Sequence, residues 1–124
     1  MSAKRVLIVD DSPSVRQQVG MALRQGGFEV VDGVDGVDGA DKLYKDASIG
    51  MVICDINMPR LNGLDMVEKI KSDARFAKLP IVMLTSEDNP VLVERAKKAG
   101  AKGWIIKPFR ADLLVATVRK LMAA

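Results

Sequence analysis

Apolar runs and amphipathic stretches alternate five times along this chain. Short, continuously apolar runs rich in Val and Ile occupy Arg5–Val9, Phe28–Val31, Met51–Cys54, Ile81–Leu84 and Gly103–Ile106. Such runs predict strands of a parallel sheet buried on both faces. The stretches between them follow a helical period. Val15, Val19, Ala22 and Leu23 share one helical face, as do Leu64, Val67 and Ile70, and later Leu114, Val118 and Leu121. The punctuation agrees. Ser12-Pro13 predicts an N-cap followed by a proline at the first helical position. Gly26-Gly27 and Gly100 stand where helices end on a left-handed residue.

Strands separated by single helices predict βαβ units with right-handed crossovers, a parallel sheet and helices on both of its faces. Five units make a (βα)5 doubly wound α/β domain of the flavodoxin-like type, for which the strand order 2-1-3-4-5 is expected. Ligands of such sheets bind outside the carboxyl ends of the strands, at the switch point between strands 1 and 3. One feature stands apart from the periodicity. A tripeptide occurs three times in succession from Val31 to Gly39. It is no calcium loop, because an EF-hand spaces its ligands every second residue and closes on a Glu. It reads instead as a strand end, a turn and a helix start, with Asp35 or a neighbour as the cap.

Composition narrows the chemistry. A chain of 124 residues, 48% hydrophobic and 28% charged, is expected to form one globular domain spanning residues 1–124. The single Cys54 has no disulfide partner and reads as a core residue. No apolar run is long enough to span a bilayer, so no membrane insertion is expected. Lys4 and Arg5 precede an apolar run, but it ends at Asp10-Asp11 and makes no signal peptide. The chain is therefore expected to be cytoplasmic. Histidine is absent, which excludes a histidine base, a Ser-His-Asp triad and imidazole metal sites. From Pro90 onward 8 basic residues face 2 acidic ones, an excess that either lies solvated on helices or attracts an acidic partner or nucleic acid.

The remaining polar residues fall together once placed on the sheet. Asp10 and Asp11 end strand 1, Asp55 ends strand 3, Thr85 ends strand 4 and Lys107 ends strand 5. Three carboxylates around one switch point repel one another unless a cation neutralises them. Oxygen ligands without His or Cys favour Mg2+, held by carboxylates together with phosphate. A lysine and a threonine hydroxyl are phosphate ligands. Metal, phosphate ligands and a carboxylate nucleophile together describe formation of an aspartyl phosphate.

Val6-Leu7-Ile8-Val9-Asp10-Asp11-Ser12, Asp55-Ile56-Asn57-Met58-Pro59 with Asn62-Gly63, Met83-Leu84-Thr85-Ser86 and Lys107-Pro108-Phe109 closely resemble the receiver domain of bacterial two-component response regulators. The resemblance covers essentially the whole chain. It is nearest to the single-domain chemotaxis-type members, with no output domain expected. It implies that Asp55 is the phosphoacceptor, taking phosphoryl from a histidine kinase. Asp11, Asp55 and the backbone carbonyl of Asn57 would hold Mg2+ (Mn2+ substituting), with Asp10 helping through water. Thr85 would be the switch hydroxyl, Lys107 the cation on the phosphate, and the Lys107-Pro108 bond cis. Asn57 and Glu87 match the side chains that govern dephosphorylation in chemotaxis-type members, and imply a short-lived phosphoryl group.

The family pattern is departed from at three places. Trp104 stands where the family has Tyr or Phe at the switch position. Asn89-Pro90 and Thr117 stand where flagellar-type members carry lysines. The expected function is a phosphorylation-activated switch in a phosphorelay, in chemotaxis or motility control. It would bind a downstream protein through the fourth helix, fifth strand and fifth helix, with Trp104 and the basic residues Arg95, Lys97, Lys98, Lys102, Arg119 and Lys120 on that face. No turnover enzyme beyond self-catalysed phosphorylation and dephosphorylation is expected, no direct nucleic-acid binding, and a monomer. The rivals lack their motifs: a haloacid-dehalogenase-type phosphatase needs Asp-x-Asp after its first strand, and a dinucleotide site needs a glycine-rich loop there.

Overall fold

The computed structural model describes residues 5–123, so Lys4 lies outside the described residues. Five strands, β1 (Arg5–Val9), β2 (Glu29–Gly33), β3 (Ile49–Cys54), β4 (Ile81–Thr85) and β5 (Gly103–Ile106), alternate with five helices. These are α1 (Pro13–Gln25), α2 (Gly36–Lys45), α3 (Gly63–Lys71), α4 (Pro90–Ala99) and α5 (Ala111–Ala123). The strands form one sheet in the order β2-β1-β3-β4-β5 and every neighbouring pair is parallel, as expected.

The pleat sends alternate side chains of each central strand to opposite faces. Val6 and Ile8 of β1 pack with Val19 and Leu23 of α1 and with Leu114 and Val118 of α5. Leu7 and Val9 point the other way, into a layer with Leu43 of α2, Leu64, Val67 and Ile70 of α3 and Ala96 of α4. Two helices thus cover one face and three the other. That arrangement leaves the carboxyl ends of β1 and β3 open to the loops that carry the acidic residues.

The helix ends follow local rules. The Ser12 hydroxyl accepts from the Val15 N–H at 3.3 Å, capping α1 ahead of Pro13. Asp35 caps α2 through Asp38 N–H at 2.8 Å, so the tripeptide repeat does end a strand and start a helix. α4 ends on Gly100, which is left-handed. After α1 the left-handed residue is Gly27, not Gly26.

Two expectations need correction. The sheet is buried on both faces only at its centre: β2 and β5 are edge strands and stay partly exposed. Accordingly β2 runs on through Asp32 and Gly33, because pairing with Ile8 and Val9 of β1, not side-chain hydrophobicity, sets its length. At the other end, β3 begins at Ile49. Its register steps from Arg5–Ile49 to Val6–Met51, leaving Gly50 as an extra residue in a bulge that the apolar run alone did not reveal.

Candidate functional site

Four of the five strands deliver polar groups to the same opening. Asp10 and Asp11 follow β1, Asp55 follows β3, Thr85 is the last residue of β4, and Lys107 follows β5. Carboxylate oxygens of Asp10, Asp11 and Asp55 all lie within 4.8 Å of one another. Asp10 and Asp55 are only 2% and 7% exposed, whereas Asp11 is open to solvent. Water therefore screens little of the repulsion between the two buried acids.

A cation already offsets part of it. Lys107 Nζ donates to Asp10 Oδ2 at 2.8 Å and to Asp55 Oδ2 at 3.1 Å. Partial burial alone would lower the lysine's pKa; the hydrogen bonds and charges of Asp10 and Asp55 outweigh it, and the net shift is upward. Lys107 is thus charged at neutral pH. The bond from Lys107 to Pro108 is cis, as the resemblance implied. Backbone donors hold the remaining oxygens: Ser12 N–H reaches Asp10 Oδ1 at 2.9 Å and Ile56 N–H reaches Asp55 Oδ1 at 2.7 Å.

Three all-oxygen, anionic donors converging at the mouth of a cleft fit a hard divalent cation. Mg2+ takes one or two carboxylates and keeps water on its other positions, and Asp11 faces that water. The cluster can hold a metal ion. Cys54, directly before Asp55, is buried; burial first, then the charges of Asp55 and Asp10, push its thiol well above the ordinary range. It is a neutral core residue here, with Sγ 3.0 Å from the Asp55 carbonyl oxygen it donates to.

A second network links the site to β5. Fully buried Thr85 accepts the Glu87 N–H on its hydroxyl oxygen at 3.2 Å, which leaves the O–H free to donate elsewhere. Glu87 Oε1 accepts from Asn57 Nδ2 at 3.1 Å, and the Glu87 carbonyl accepts from Trp104 Nε1 at 3.0 Å. Glu87 is therefore the common partner of Thr85, Asn57 and Trp104. The family resemblance had singled out all four residues but could not show that they are joined. Trp104 is half-buried and, with Val93 and Ala96 of α4, lines a cavity of about 50 Å³.

The basic face expected near Trp104 is smaller than the sequence implied. Arg95 turns toward α3, donating to Asp65 Oδ1 and Glu68 Oε1 at 2.7 Å each. Arg119 donates to the Gly26 carbonyl and stands over the Phe28 ring, on the α1 side. Lys98 lines the groove between α3 and α4. Lys97 and Lys102 remain beside Trp104, and Lys120 is exposed on α5. Charge balance along the chain cannot foresee this, because an ion pair or a carbonyl and ring contact turns an arginine toward a neighbouring element only once the helices are packed.

Arg16 was missed in the sequence. Its Nη1 donates to the Asp10 carbonyl at 2.6 Å and its Nε lies 3.5 Å from Asp32 Oδ2. An arginine one turn into the helix that follows Asp10-Asp11 was the available signal.

The sequence matches the response regulator receiver domain over residues 6–119. It is 40% identical over 111 residues to the chemotaxis protein CheY1 of Helicobacter pylori, covering 89% of this chain and 90% of that protein. It is 36% identical to a CheY homolog of Campylobacter jejuni, covering 89% and 85% of the two. Among solved structures, the chemotaxis protein CheY4 of Vibrio cholerae superposes with a TM-score of 0.89 at 36% identity, over 98% of this chain and 99% of that one.

Proposed function

This chain belongs to the response regulator receiver family, and on that premise we propose that it is a switch set by phosphorylation of Asp55. The observation that carries the reading is Lys107, whose ammonium bridges Asp10 and Asp55 at 2.8 and 3.1 Å. A lysine so placed can follow negative charge from the carboxylate to a phosphoryl oxygen without leaving the site. Phosphoryl transfer forms a P–O bond to an Asp55 oxygen and breaks the P–N bond of a histidine kinase's phosphohistidine, whose imidazole leaves with the electron pair. Asp10, Asp11 and Asp55, with the Asn57 carbonyl, would hold Mg2+, which supplies neutralising charge when bound. The Thr85 hydroxyl has its donor free for a phosphoryl oxygen. Asn57 and Glu87 stand at the mouth of the site and control access of water to the phosphoryl group. The chain acts as phosphoacceptor for a kinase and messenger to a target protein, in the cytoplasm, and not as a turnover enzyme. Among the described residues no helix is long and apolar enough to cross a membrane. The names of its relatives place those proteins in chemotaxis, and we extend that setting to this chain.

Incubation with acetyl phosphate and Mg2+ is expected to add one phosphoryl mass that base removes. No added mass under saturating donor and metal would overturn the reading.

Trp104 is proposed to report the switch on a target-binding face of α4, β5 and α5. Its indole is hydrogen-bonded to Glu87, and Glu87 to Thr85, so a pull on Thr85 reaches the ring through two bonds. Because Trp104 is the chain's one tryptophan, its fluorescence reads this directly. Beryllofluoride with Mg2+, standing in for the phosphoryl group, is expected to change its intensity or its access to quencher. Spectra identical with and without beryllofluoride would make Trp104 a static packing residue.

A further inference from the structure

The tripeptide repeat between Val31 and Gly39 lies outside the candidate site, yet two of its acids face cations beside it, one on α1 and one in the loop after Asp55. Asp32 faces Arg16, which in turn holds the Asp10 carbonyl. Asp35, 25 residues earlier in the chain than Arg60, accepts both arms of that arginine's fork: Nε at 2.7 Å on Oδ2 and Nη2 at 3.0 Å on Oδ1. The third acid, Asp38, closes the turn locally on the Val34 N–H.

Arg60 sits in the loop between β3 and α3, which begins at Asp55 and carries Asn57. Its φ of 67° is left-handed, a conformation rare for any residue but glycine. Nothing local favours arginine there; the bidentate pair with Asp35 does. The partner is well made. Asp35 is 6% exposed, is held from behind by Asp38 N–H, and is kept below the usual carboxylate range first by the Arg60 hydrogen bonds. Backbone packing seals the same contact. A Cβ on Gly36, the first residue of α2, would stand 2.1 Å from the Leu61 carbonyl oxygen, so the loop lies directly on the start of α2. Among the described residues, the side chains of this loop reach other elements by hydrogen bonds at three points, Asp55 to Lys107, Asn57 to Glu87 and Arg60 to Asp35.

We propose that Asp35 and Arg60 are positioning residues for metal binding: the buried Asp35 carboxylate fixes the loop after Asp55, and with it the Asn57 carbonyl, through the bidentate contact to Arg60. This rests on the metal site proposed above. Neither residue touches the metal. Both act on where its ligands stand.

Opposite charges make the test decisive. A field effect on a bound cation would have opposite signs in the two variants. Asp35→Asn removes a negative charge and would weaken binding; Arg60→Gly removes a positive one and would tighten it. Positioning gives both variants the same sign. Arg60→Gly also suits the left-handed φ, so the fold is expected to survive it. Mn2+ binding to the full chain, followed by calorimetry, is expected to weaken about tenfold in each variant, the size usual for outer-sphere partners. The double variant should be no worse than either single one. Arg60→Lys, which keeps the charge and loses the fork, should also weaken binding. Melting curves of each variant accompany the titrations, so loss of fold is read separately from loss of affinity. If Arg60→Gly binds Mn2+ as tightly as the parent or more tightly, the clamp is not a positioning device and the proposal fails. If the parent itself binds no Mn2+, or if Asp11→Ala binds it equally well, the metal-site reading has failed instead and takes this one with it.

Discussion

Asp55→Asn is expected to take up no phosphoryl group from acetyl phosphate under conditions that label the parent chain fully. The amide nitrogen has no lone pair to offer and the amide oxygen is a poor nucleophile, so the loss is of the reaction itself. Geometry adds to it. Asp55 Oδ1 accepts from Ile56 N–H and Oδ2 from the Lys107 ammonium. An Asn side chain has one acceptor, so its NH2 must face one of those two donors. The fold is expected to persist, because Lys107 keeps Asp10 as a partner and one of three mutually repelling carboxylates has gone. The metal response should fall as well. Binding at ten times Kd adds about 1.4 kcal/mol to stability, and the rise in melting temperature with Mg2+ should shrink in the variant. Labelling at the parent rate would move the acceptor to Asp10 or Asp11, and peptide mapping of the phosphoryl group would identify which.

Gly63→Ala is expected to do the reverse, leaving every site side chain chemically intact and weakening the fold that holds them. Gly63 opens α3, and its N–H donates to the Ile56 carbonyl at 2.9 Å. A Cβ there would lie 1.9 Å from the Asp55 carbonyl oxygen and 3.0 Å from Cys54 Sγ. The oxygen is backbone, at the end of a central strand, and cannot rotate away. α3 would have to retreat from the sheet, although Leu64, Met66, Val67 and Ile70 are buried beneath it. A clash of this kind belongs with the rare substitutions that cost about 4 kcal/mol or more, a large part of the 5–15 kcal/mol that holds a typical domain together. Thermal unfolding followed by circular dichroism should show the midpoint falling by about 15 °C. A midpoint within about 3 °C of the parent's would mean that α3 does not approach Asp55 as closely as described.

Much of this architecture was legible in the order of residues. The five βα units, their parallel pairing and the strand order followed from period, length and connection rules, none of which needs a distant partner. Ser12 and Asp35 as caps followed from local hydrogen bonding. Edge strands were read less well, since β2 extends over Asp32 and Gly33 by backbone pairing with β1, and no hydrophobic signal marks that. The basic surface was overread. Arg95 pairs with Asp65 and Glu68, 30 and 27 residues away, and which of eight basic residues turns inward depends on helix packing.

What the sequence by itself determined, then, is which residues stand at the carboxyl ends of the strands. Strand length, helix caps and βαβ handedness are local or nearly local, and they bring Asp10, Asp11, Asp55, Thr85 and Lys107 to one edge. Tertiary structure decided whom each of them touches. Lys107 bridges Asp10 and Asp55, Glu87 joins Thr85, Asn57 and Trp104, and Arg60 adopts a left-handed backbone to reach Asp35. Those choices rest on rotamers and loop dihedrals fixed by side chains far off in the chain, and periodicity carries no information over such separations.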